Sequence, residues 1–162
     1  MIVIGYQGIG KSTLAGQNDH FIDLESSMFF IDGHRDREWY KIYCNIAEDL
    51  SRQGYIVFVS SHAEVRERLK FSGVDVVIVY PSLELKEEWI AKLRDRYNKT
   101  GLMKDYKALL NAVERYEENI TDMHKSTENS IIRRLVINSM EYNLADILIK
   151  LQNNTIDDWY LK

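Results

Sequence analysis

Apolar residues recur along this chain in two rhythms. Short runs that are apolar throughout, "IVI" at 2–4, "YIVFVS" at 55–60 and "VDVVIVY" at 74–80, read as strands buried on both faces. "HFIDLE" at 20–25 and "IIRRLVIN" at 131–138 complete five strand candidates. Other segments carry apolar residues three and four apart, the period of a helix. "REWYKIYCNIAEDLSRQ" places Trp39, Tyr43, Ile46 and Leu50 on one predicted face, and Gly54 closes it. Ser61 and Glu64 stand three apart as a capping box opening "AEVRERLK", which Gly73 ends. Pro81 halts the strand before it. "LELKEEWIAKLRDRYNK" puts Leu85, Trp89 and Leu93 on one face, and "KDYKALLNAVERYEENITDM" forms a second helix after the break at Gly101. "NLADILIKL" is the last helix. The polar stretch from Gln152 to Lys162 predicts nothing definite. Strands alternating with helices predict an α/β fold: a five-stranded, mainly parallel sheet covered on both faces, three layers in one domain over 1–162.

Composition narrows the setting. A chain of 162 residues buries roughly 70% of its extended surface as one domain. Its 45% hydrophobic and 28% charged residues are ordinary globular values. The longest apolar run, Val76 to Tyr80, falls far short of the ~20 residues of a membrane helix. No basic start followed by an apolar stretch marks a secretory signal. A single cysteine, Cys44, excludes an internal disulfide framework and fits a reducing, cytoplasmic setting. The four histidines are too scattered for a zinc site of familiar spacing. A net charge of −4 argues against nucleic acid as a partner, and a membrane is not expected either.

Candidate chemistry begins at "MIVIGYQGIGKSTLAG", which holds four of the eight glycines. Gly5, four residues, then Gly10-Lys11-Ser12 is the phosphate-loop spacing G-x-x-x-x-G-K-[ST], here between a predicted strand and a predicted helix. The cradle comprises Gly5, Gly8, Ile9, Gly10, Lys11, Ser12 and Thr13. Its N–H groups can converge on phosphate oxygens at the positive end of the following helix. Lys11 can reach the outer phosphates of ATP, and the Ser12 hydroxyl can ligate Mg²⁺.

A nucleotide site also needs a carboxylate near the metal, and only "FIDLE" ends a strand with one. Asp23 and Glu25 are two apart, on one side of an extended strand. Asp23 can hold Mg²⁺ directly or through water, and Glu25 can orient or deprotonate an acceptor hydroxyl. Positive charge comes from "KLRDRYNK". Arg94 and Arg96 are about 200° apart on a helix, so the segment reads as a helix end or mobile flap whose arginines meet a transferring phosphoryl group. The alternative is a solvated helix face with i,i+4 pairs such as Glu88–Lys92. In "SSHAEVRERL", Ser60, Ser61, His62 and Arg66 can line an acceptor pocket, although capping alone explains Ser61. Arg35 and Arg37 add charge before the second helix, and Arg133 and Arg134 precede the last strand's apolar core and read as edge or surface residues.

The order of elements, the loop "GYQGIGKST", the acid pair "DLE" and the lid-like "KEEWIAKLRDRY" resemble the small P-loop kinases: nucleoside monophosphate kinases and their shikimate- and gluconate-kinase relatives. The resemblance implies a P-loop NTPase fold with a helical lid over roughly 86–125. It implies transfer of the γ-phosphate of ATP, with Mg²⁺, to a small acceptor, foremost a nucleoside or deoxynucleoside monophosphate. It gives Asp23 and Glu25 the acceptor- and metal-facing role, Arg66 the acceptor contact, and Asn138 to Met140 the border of the adenine. Neither the Asp-Gly-Phe-Pro-Arg segment of adenylate kinases nor the acid-Arg-Pro segment of thymidylate kinases is present. "FIDLES" after a short loop helix also occurs in RecA-like phage ATPases, whose usual acidic strand end "VFVSS" lacks. The competing expectation is therefore an ATPase module serving a nucleic-acid or regulatory assembly.

Overall fold

The computed structural model describes residues 1–155. In chain order these form β1 (Ile2–Gly5), α1 (Lys11–Gln17), β2 (Phe21–Asp23), α2 (Trp39–Arg52), β3 (Ile56–Val59) and α3 (Ala63–Leu69). There follow β4 (Val76–Pro81), α4 (Lys86–Thr100), α5 (Met103–Lys125), β5 (Arg133–Ile137) and α6 (Leu144–Gln152). The five strands lie in the order β2-β3-β1-β4-β5. Every neighbouring pair is parallel, so the sheet is wholly and not just mainly parallel. β1, β3 and β4 are buried at each position, which requires cover on both faces. No described helix is long and apolar enough to cross a membrane.

Three local expectations change. The inward face of α2 is rotated from the predicted one. Trp39 and Tyr43 are buried with Cys44, Ala47, Glu48 and Ser51, while Ile46 lies at the surface and Leu50 is half-buried. Glu48 can go inside because Arg68 and Ser72 satisfy it, at 3.2 and 2.9 Å. The capping box does not form, since His62 is the cap residue of α3 and no side chain closes the helix start. Arg133 and Arg134 lie within β5 rather than before it.

The seven-residue α1 ends where Gly16 and the polar residues after it predict. α4 and α5 pack against each other and span the 86–125 segment read as lid-like. The helix α4 runs unbroken through Arg94 and Arg96 to a left-handed Gly101, so the frayed end expected there is absent. Trp89, Ile90 and Leu93 anchor it to the core.

Candidate functional site

The site is built at the carboxyl ends of β1, β2 and β3. Beyond Gly5 the chain folds back on itself, with Ile9 buried beneath it. A Cβ on Gly5 would stand 2.4 Å from Ile9 Cδ1, so a larger residue would force the buried Ile9 side chain to move. Gly8 and Gly10 adopt φ of +85° and +109°, which turns successive N–H groups toward one side. Among the described residues, the N–H groups of Gly8, Gly10, Lys11, Ser12 and Thr13 find no acceptor. Nothing lies within 4 Å of where a Gly10 Cβ would be. The result is an open ring of donors at the start of α1.

Lys11 curls over this ring and donates to Gly5 O at 3.2 Å and Tyr6 O at 3.4 Å. Burial pushes its pKa down, Asp23 opposes that push, Arg96 adds to it and Glu25 opposes it more weakly. Asp23, Glu25 and Arg96 are therefore all close enough to act on the Lys11 charge. Ser12 Oγ donates to Asp23 Oδ2 at 2.7 Å, joining the first turn of α1 to the end of β2. Thr13 and Glu25 are exposed at the rim.

The loop is clamped from above by residues that the sequence reading did not single out for this site. Trp89 Nε1 donates to Gln7 O at 2.9 Å, and Tyr142 OH donates to Ile9 O at 3.0 Å. Their rings stack, with centroids 6.3 Å apart and an interplanar angle of 15°. Lys92 Nζ lies 4.3 Å from the Trp89 ring centroid and donates to Tyr142 OH at 2.9 Å. Burial lowers the Lys92 pKa, and Arg96 pushes the same way. Gln7 Nε2 reaches Ala108 O at 2.9 Å, tying the loop to α5 as well.

Arg94 and Arg96 part company, as their angular separation requires. Trp89, Lys92 and Arg96 share the face of α4 turned toward the loop, whereas Arg94 is exposed and has no partner among the described residues. Arg96 lies 2.6 Å from the buried Asp105, a close charge contact that lacks the alignment of a hydrogen bond.

Arg66 is committed elsewhere. Its Nε donates to Ser126 Oγ at 2.9 Å and its Nη1 to Ser61 O, so it ties α3 to the end of α5. Burial lowers its pKa, against the pull of Asp122, Glu67 and Glu64. None of these contacts involves the glycine loop or the acid pair.

Arg35 lies against Ser26, the residue that follows Glu25. Its Nη2 donates to Ser26 O at 3.2 Å and its Nη1 faces His62 Nε2 at 3.3 Å. The guanidinium lies 4.5 Å over the Trp39 ring and 5.5 Å from that of Phe30. Burial, then Arg35, push the His62 pKa down. Tyr43 OH donates to Leu24 O at 2.6 Å and accepts from Ser60 N at 2.9 Å, stitching the ends of β2 and β3 together. Two buried polar atoms here, Arg35 Nε and Ser60 Oγ, have no hydrogen-bond partner. Orphaned buried atoms are rare and call for a partner such as water, an ion or a ligand. In the sequence Arg35 stood out only as charge added, with Arg37, before the second helix.

Among the described residues, no cluster of three His, Cys, Asp or Glu side chains forms a ready-made metal cage. Ser12 and Asp23 offer a hydroxyl and a carboxylate, the hard oxygen donors that suit Mg²⁺ completed by phosphates and water. Compared with known proteins, the chain matches no protein-family model and no curated relative.

Proposed function

We propose that this chain is an ATP-dependent phosphotransferase with a P-loop NTPase fold, moving the γ-phosphate to a small anionic acceptor, foremost a nucleoside monophosphate. The observation that carries the reading is the Ser12–Asp23 hydrogen bond of 2.7 Å beside five unclaimed N–H groups. The donors of Gly8 to Thr13 cradle the phosphates, and Lys11 swings from its carbonyls onto the outer ones. Ser12 and Asp23 hold Mg²⁺, which neutralises charge on the phosphates when bound. Lys92 and Arg96, side by side on α4, bring further positive charge toward the transferring group.

The acceptor lies over the ends of β2 and β3, with Glu25 orienting its reactive oxygen and Arg35 binding its anionic group. An arginine with an unpartnered N–H, held against an aromatic ring, is suited to a phosphate. This role passes to Arg35 from Arg66.

Purified protein incubated with Mg-ATP and each of several nucleoside monophosphates, shikimate or gluconate tests the proposal. ADP release should depend on a monophosphate, and Arg35→Ala should raise its KM at least tenfold with a smaller effect on kcat. Turnover with a sugar acid alone would displace the monophosphate. Slow ATP hydrolysis indifferent to every acceptor would favour the ATPase-module reading. The observation on that side is an apolar stripe on α5, where Met103, Tyr106, Leu110 and Val113 are exposed.

A further inference from the structure

A second polar cavity lies beside β5, two strands away from β1 and sharing no residue with the glycine loop. It has a volume of about 660 Å³ and is lined chiefly by His124, Thr127, Glu128, Asn129, Arg133 and Arg134. Its two arginines differ in their company. Arg133 is neutralised by Asp75, with Nε 3.1 Å from Oδ1 and Nη2 on Oδ2. Arg134 has no carboxylate partner among the described residues. Its Nη1 instead meets the His124 ring, 3.1 Å from Nε2 and 3.4 Å from Nδ1.

On the other side of that ring, Tyr80 OH is 2.8 Å from His124 Nδ1. With Nη1 nearly equidistant from the two ring nitrogens, the guanidinium lies over the face of the imidazole, while Tyr80 OH meets Nδ1 at its edge. The imidazole is thus locked in place, and Arg134 keeps an uncompensated charge at a half-buried position. Such a charge is costly without a counterion. Glu128 lies on the rim, but no ion pair joins it to either arginine. The carbonyls ending α5 would repel an anion, yet they are already occupied. Ser126 N and Oγ bond Asp122 O, Thr127 N and Oγ1 bond His124 O, and Glu128 N bonds Lys125 O.

We propose that this cavity is a second anion site, distinct from the glycine loop, that takes the phosphate group of a small phosphorylated molecule through Arg134, whose guanidinium His124 holds in position. The guanidinium fork of Arg134 matches phosphate oxygens. The volume exceeds that of a bare phosphate and falls within the range of small-ligand pockets, leaving room for a polar body such as a sugar.

The test uses the full chain carrying Lys11→Ala, with Arg35→Ala added so that neither the cradle lysine nor the proposed acceptor arginine is present, and isothermal titration with inorganic phosphate and with ribose 5-phosphate. Saturable one-to-one binding is expected, tighter for ribose 5-phosphate. Adding Arg134→Gln should weaken it about tenfold or more, the loss of one charge-assisted hydrogen bond. His124→Gln should weaken it too, which covers the case in which Arg134→Gln fails to fold. Absence of saturable binding in the protein carrying Lys11→Ala and Arg35→Ala would overturn the proposal, as would undiminished affinity in folded Arg134→Gln or His124→Gln protein. A single-stranded oligonucleotide held by Arg134, with no affinity for ribose 5-phosphate, would overturn it in favour of nucleic acid.

Discussion

Replacing Gly8 or Gly10 with alanine places a methyl group on backbone at positive φ, +85° or +109°. Each substitution costs about 1–2 kcal/mol for that conformation alone. Their surroundings then separate them. A Cβ on Gly8 would stand 2.9 Å from Leu93 Cδ2 and 3.2 Å from Trp89 Nε1, whereas on Gly10 it meets nothing within 4 Å. Leu93 and Trp89 are at most 1% exposed, so neither can withdraw freely. Overpacking of this kind costs about 1–3 kcal/mol more. For a chain of this size the apo Gly8→Ala protein should melt about 2–12 °C below Gly10→Ala. Mg-ATP should reverse the order of injury. The open space at Gly10 is where a phosphate approaches, so Gly10→Ala should lose more of the ligand-induced rise in Tm. Thermal denaturation followed by circular dichroism, with and without Mg-ATP, gives both numbers. Equal apo Tm values would refute the packing of α4 on Gly8. Equal ligand shifts would refute the cradle at Gly10.

Three further outcomes follow from the same geometry. Asp23→Asn should depress Mg²⁺-dependent turnover more than Mg²⁺-free nucleotide binding, and near-wild-type activity would remove Asp23 from the metal site. Arg96→Ala should lower turnover on the order of a hundredfold, while Arg94→Ala should change it by no more than about twofold; steady-state kinetics showing equal effects would undo the assignment of faces on α4. Burial pushes Cys44, Tyr43 and Tyr142 up to about 12, from ordinary values of 9.0 for the thiol and 10.0 for the phenols. Between those limits the folded chain binds more protons than the unfolded one, so stability should fall as pH rises from about 9 to about 12. Denaturant titrations across that range, together with slow native reaction of Cys44 toward a thiol reagent at pH 8, check both halves.

The parts of the molecule that were legible in the sequence are those specified by neighbouring residues. Strands buried on both faces announce themselves as unbroken apolar runs, and the glycine loop is written in a single stretch. Asp23 was legible by elimination, as the only carboxylate at a strand end reaching toward that loop. The clamp of Trp89 and Tyr142 was not, because its two rings come from segments about fifty residues apart and meet only through the fold. The same holds for α2. Its apolar spacing favours a face containing Ile46, and the burial of Glu48 becomes tolerable only once Arg68 of the next helix and Ser72 of the turn after it arrive. The contacts of Arg66 were not legible for a related reason: the partner that occupies it, Ser126, lies sixty residues downstream.

The central position of β1 has a consequence for how the chain is made. It is the first strand to emerge in the described sequence, yet its neighbours β3 and β4 begin only at Ile56 and Val76. At ribosomal rates of ~5–20 residues per second, the first strand waits on the order of 4–15 s before both flanks of its ladder exist. Until β3 emerges, an apolar segment joined to a glycine loop has no strand to pair with. Folding is therefore dominated by distant pairings and slow closure, and nascent chains stalled before α3 should be the species that chaperones capture.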